Sequence, residues 1–88
     1  MSQFVGMVVE DVEALSRQMN QSAEEIRQLV NTLGSKIQST QWTGPDREQF
    51  LGNWQGQYVG QLNTVAMALD DAARAAQQNA TQQTQASA

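Results

Sequence analysis

The side chains that could do chemistry are few. Of 88 residues, five are Lys or Arg and nine are Asp or Glu, and there is no Cys and no His. Without Cys there is no disulfide framework and no thiolate nucleophile. Without His, a Ser or Thr hydroxyl lacks its commonest general base. Lys36 is the only lysine. It falls on a polar helical face, with neither burial nor a second cation to activate it as a nucleophile. The acidic pairs Glu10/Asp11, Glu24/Glu25 and Asp70/Asp71 could suggest a cation site. Adjacent helical residues point about 100° apart, however, which is poor geometry for shared coordination and suits a solvated face. The expectation is a chain that is not an enzyme, with no catalytic, cofactor-binding or metal residues and no cofactors.

Charge and hydropathy narrow the binding classes. A net charge of −4 without a basic cluster argues against nucleic acid, where phosphate neutralisation supplies most of the affinity. No segment approaches the roughly 20 apolar residues of a membrane span. The apolar stripes described below also lack the flanking Lys and Arg of a membrane-surface helix, so no stable membrane insertion is expected. Residues 1–10, MSQFVGMVVE, have no basic start and run into acids, unlike a secretory signal peptide. Gln occurs fifteen times, which suits exposed helical faces or polar tails.

The periodicity is helical throughout. Val8, Val12, Leu15, Met19, Ile26, Val30, Leu33 and Ile37 recur in steps of three and four, with Ser22 and Ala23 in the one gap. At 100° per residue they fall in a stripe about 60° wide. This predicts one helix over about residues 5–40, passing through Gly34. Glu13 and Arg17 stand four apart in the favourable order. A turn follows at 42–44, about three residues long. Pro45, with its fixed φ and missing N–H, opens a second helix over about 46–77, capped by Gly44 or Thr43. There Phe50, Leu51, Trp54, Tyr58, Leu62, Val65, Leu69, Ala72 and Ala76 form the stripe, large near the turn and small beyond Leu69. Asp70 and Arg74 form a second four-apart pair. Residues 79–88 carry no large apolar side chain and read as a disordered polar tail. The fold class is therefore all-α: an antiparallel helix-turn-helix hairpin, one domain over 1–78.

A helix over 5–40 is about 54 Å long, whereas a compact chain of this size has a radius of gyration near 12 Å. The product is a rod whose two helices share one thin seam. Small chains seldom stabilise themselves that way, so pairing of two hairpins into a four-helix bundle dimer is expected. The expected packing residues are Val12, Leu15, Met19, Ile26, Val30, Leu33 and Ile37 on the first helix. On the second they are Phe50, Leu51, Trp54, Tyr58, Leu62, Val65 and Leu69. Gly52, Gly56 and Gly60 repeat every four residues, with Met67 continuing their side. Either they form a second docking face, where another backbone approaches closely, or they are a Gly-tolerant outer surface.

Trp42-Thr43-Gly44 is a Trp-x-Gly triplet at the bend between two long amphipathic helices. In this setting, over about residues 5–78, the chain resembles the WxG family. These are the early-secreted-antigen-like substrates of bacterial type VII (ESX or Ess-like) secretion, several of them associated with virulence. The resemblance implies Trp42 and Gly44 as secretion and turn-motif residues. It implies pairing with itself or with a paralogous WxG hairpin, and recognition by an FtsK/SpoIIIE-type secretion ATPase. It also implies export without a cleaved signal peptide, leaving a cytoplasmic pool before export. One departure stands out. The family's Tyr-x-x-x-Asp/Glu signal is absent: the only tyrosine, Tyr58, is followed four residues on by Leu62. The other reading is an intracellular helical-hairpin adaptor or coiled-coil bundle component that is not exported.

Overall fold

A computed structural model describes residues 6–87. The chain order is α1 (Val9–Ser39), α2 (Pro45–Asn53), a π-helical turn (Trp54–Tyr58) and α3 (Val59–Ser87). The backbone stays right-handed helical at Asn53, Trp54 and Val59, so residues 45–87 form one continuous rod. It runs antiparallel to α1, and the hairpin measures 68 × 18 × 15 Å with a radius of gyration of 19.6 Å. The expected helix start near residue 5 lies outside the described residues. Gly6–Val8 are non-helical, and α1 begins at Val9. Gly34 lies within α1, as its in-phase neighbours require.

The bend is longer than the three residues expected. Thr40 leaves the helix with φ −79° and ψ 130°, and Thr40–Gly44 form the connection. The hydroxyls of Ser39 and Thr40 donate to the Lys36 carbonyl at 3.1 and 2.6 Å. They satisfy an acceptor that the end of a helix would otherwise leave free. Gly44 caps α2 with φ 118° and ψ −179°, a backbone region open almost only to glycine. The space around it is open, so the requirement is conformational and not steric. Gly44→Ala should therefore destabilise the hairpin by about 1–3 kcal/mol in denaturant unfolding. An unchanged midpoint would show that the bend relaxes freely.

The core is made of alanines. Ala23, Ala66 and Ala80 are 0 % exposed and Ala73 is 1 % exposed, and among the described residues no large side chain is fully buried. In heptad terms α1 presents Val9, Ser16, Ala23, Val30 and Ile37 at a, with Val12, Met19, Ile26 and Leu33 at d. On α3 the a positions are Val59, Ala66, Ala73 and Ala80, and the d positions Leu62, Leu69, Ala76 and Gln83. The Ser16 hydroxyl donates to the Ala73 carbonyl at 2.8 Å in this seam, which sets the register. Repeated every seven residues, that register levels Val9 with Ala80, Ala23 with Ala66, and Val30 with Val59. Alanine leaves little between two backbones, and α1 and α3 close on each other along this stretch. At the bend end, no Cα of α1 comes within 8 Å of a Cα in α2 or the π turn. There Ile37, Leu51 and Trp54 are half-buried.

Within the lone hairpin the seam of the second rod differs from the expected stripe. Tyr58, Val65 and Ala72 are exposed, and their neighbours Val59, Ala66 and Ala73 face α1. The cause is the π turn, where the Val59 N–H donates to the Trp54 carbonyl five residues back. The extra residue turns Tyr58 outward and Val59 inward. The expected end near 77 and the disordered tail at 79–88 are corrected. α3 continues to Ser87 with Ala80 fully buried, because Ala80 and Gln83 extend the same heptad. Residue 88 lies outside the described residues.

Candidate functional site: two unlike edges and the bend

Reversing one helix of a pair places like flanks of the heptad on the same side, e beside e and g beside g. The e edge is polar. Arg27 donates from Nη2 to Asp70 Oδ2 at 2.6 Å and from Nη1 to Glu24 Oε2 at 2.8 Å. Gln77 Nε2 donates to Glu13 Oε2 at 3.4 Å. The pairs expected from four-residue spacing are thus replaced. Asp70 bonds across the hairpin to Arg27, Arg74 pairs with Asp71 at 3.1 Å, and Glu13 takes Gln77 instead of Arg17.

Asp70 foremost, and then Glu24, raise the Arg27 pKa above its ordinary value. A cation whose pKa is raised on folding contributes stability that is fully present below its unfolded pKa and is lost as pH rises through the folded one. The Arg27 contribution is therefore constant through neutral pH and, on the basic side, is lost in strong alkali. The pair is partly exposed, so salt screens it. Asp70→Asn should lower the melting temperature at low ionic strength, and the difference should shrink at about 1 M salt. A difference insensitive to salt would contradict a Coulombic role.

The g edge is largely apolar, with Ser22, Lys36 and Asn79 as its polar members. It carries Leu15 and Leu29 from the first rod, with Val8 just ahead of α1 at its end, and Phe50, Tyr58 and Val65 from the second. These are six of the nine exposed large apolar residues of the described chain, so the uncovered surface is concentrated on one side. Leu15 is 53 % exposed and Val65 49 %. The Ser16–Ala73 register places Val65 between Leu15 and Leu29 in height. Of the remaining expected packing residues, Val12, Met19, Ile26, Val30, Ile37, Leu51, Trp54, Leu62 and Leu69 are half-buried in the seam. Leu33 is exposed at the wide end.

At the bend, Trp42 packs on Phe50 with ring centroids 5.8 Å apart and planes tilted by 50°, a favourable aromatic arrangement. Trp42 remains 41 % exposed. Beside it lies an open depression of about 550 Å³ lined by Thr40–Gly44, Arg47 and Glu48. Phe50 thus joins the bend to the g edge. Gly52, Gly56 and Gly60 are exposed, with nothing within 4 Å of where a Cβ would sit. Met67, 61 % exposed, occupies the same heptad position as Gly60. Among the described residues, no backbone outside their own helix comes within 4 Å of those Cβ positions.

Sequence reasoning named Leu15, Phe50, Tyr58 and Val65 as packing positions and placed Val8 on the first stripe, but assigned them to the stripes of single helices and did not single out Leu29. The signal it passed over is the alanine heptad Ala66, Ala73 and Ala80, which leaves the larger neighbours outside. No helix of the described residues is long and apolar enough to cross a membrane. The chain matches no family model, no curated protein and no solved structure.

Proposed function

We propose that the hairpin works by protein–protein contact and not by catalysis, as a WxG-type protein exported by type VII secretion in paired form. The single observation that carries pairing is the apolar g edge, which leaves Leu15, Leu29, Tyr58 and Val65 in water. A second hairpin laid on that edge gives a four-helix bundle, and its own copy is the simplest occupant. The α3 side of the edge supports self-association, because Tyr58, Gln61, Val65, Ala68, Ala72 and Ala75 bring no charge to it. Export is supported by the resemblance of Trp42-Thr43-Gly44 to the family motif, and by an exposed indole held at the bend against Phe50. Trp42 and Gly44 are the proposed motif residues for an FtsK/SpoIIIE-type ATPase. The glycine face with Met67 is a second proposed docking surface.

The test is the culture medium of a strain with and without an active secretion ATPase. The reading expects the chain outside the cells only when the ATPase works. It also expects loss of export in Trp42→Ala with the helical content retained. Protein that stays with the cells in both strains overturns export. The absence of a Tyr-x-x-x-Asp/Glu pattern after Tyr58 favours a second reading, an intracellular hairpin adaptor, which that outcome would support.

A further inference from the structure

The second rod is one residue longer than its seam requires. Before the π turn the inward positions are Arg47, Leu51 and Trp54, and after it they resume at Val59, a step of five. A π turn inserts one residue while preserving the faces on either side. Gly56 lies inside it, with Gly52 and Gly60 flanking, and none has a neighbour where a Cβ would sit. Glycine holds the α conformation least firmly of the non-proline residues, so this stretch can exchange one helical hydrogen-bond pattern for another.

The same residues contain a second, unbroken stripe. Continued from Trp54 as regular α-helix, the rod brings Tyr58, Val65 and Ala72 inward in place of Val59, Ala66 and Ala73. Leu62, Leu69 and Ala76 stay beside the seam in both settings. The change turns α3 by one residue, about 100°. The settings differ in bulk. Ala66 and Ala73, at 0 and 1 % exposure, let two backbones close on each other without a third wall. Tyr58 and Val65 are too large for that gap and suit a thicker core shared with further helices.

We infer that Trp54–Tyr58 is a register switch, with the π setting belonging to the lone hairpin and the unbroken α setting to the paired one. This rests on the pairing reading above. A second copy that buries Tyr58 and Val65 binds the rotated setting more tightly and so shifts the population toward it.

The test follows the Val59 amide by hydrogen-bond couplings in NMR, in dilute and concentrated samples of the full chain. Its acceptor is the Trp54 carbonyl in the lone hairpin and becomes the Gln55 carbonyl on pairing. A chain that pairs while the amide stays on Trp54 overturns the switch alone. A chain that never pairs overturns the pairing reading and the switch with it. Deleting Gly56 removes the extra residue and locks the π-setting faces into regular helix. That variant should melt at or above the wild type in dilute solution and self-associate at least tenfold more weakly. Deleting Asn63, where the helix is regular, misaligns the faces and should melt far lower. A Gly56 deletion that pairs as tightly as the wild type, or melts as low as the Asn63 deletion, overturns the inference.

Discussion

Replacing Ala73 with leucine will force α1 and α3 apart and lower stability by about 1–3 kcal/mol or more, the range for overpacking a closed site. Ala73 is 1 % exposed, and its carbonyl receives the Ser16 hydroxyl. Added methylenes there have no space to enter, and separating the rods also strands the Ser16 hydroxyl, a buried donor. For a chain of this size each kcal/mol corresponds to about 4–8 °C in the melting temperature. Ala72→Leu, one residue away on the exposed g flank, should leave the lone hairpin nearly unchanged. Thermal melts of the two variants at low concentration make the comparison. Equal losses at 72 and 73 would show that the alanine seam is not the closed contact described.

The second large effect concerns the apolar edge. Leu15→Glu and Val65→Glu place carboxylates at positions already in water in the lone hairpin, so its helicity should survive. In a symmetric pair each substitution occurs twice inside the shared core. An uncompensated buried charge costs about 3–5 kcal/mol, so the dissociation constant should rise by at least about 100-fold. Met67→Glu, equally apolar and more exposed but on another face, is the control and should leave pairing unchanged. Sedimentation of the three variants decides the point, and similar association by all of them would remove the g edge as the interface.

What the sequence discloses and what it hides have separable physical origins. The long first helix is legible because Val12, Met19, Ile26, Val30 and Ile37 keep one phase across Gly34, whose conformational cost alone is too small to break the helix. The bend is legible because Gly44 and Pro45 each have a backbone requirement that a helix interior cannot meet. The face of the second rod is not legible. Tyr58, Val65 and Ala72 fit an unbroken helix as well as Val59, Ala66 and Ala73 fit a rod with one five-residue step. Residue size favours the first choice, while close approach of two lone helices favours the second. Nothing in a linear pattern marks an i→i+5 step except glycine, and Gly52, Gly56 and Gly60 suit a close backbone contact or a plain outer face equally well.

Charge pairing is hidden in a similar way. Spacing along one helix suggests Asp70 with Arg74, but the hairpin offers Arg27 across the seam. At the far end, a polar run from Gln77 onward looks unanchored until Ala80 is seen to complete a heptad begun at Ala66. The bend motif is readable, but the packing of Trp42 on Phe50 needs three dimensions. So does the gathering of Leu15, Leu29, Tyr58 and Val65 on one edge.

That edge is the premise on which pairing, the rotation of α3 and export as a complex all depend. Sedimentation equilibrium of the unmodified chain, loaded between about 1 and 100 µM, tests it most directly. The account predicts a mass rising to twice the 9.7 kDa of one chain. A single species of 9.7 kDa at every loading would contradict it.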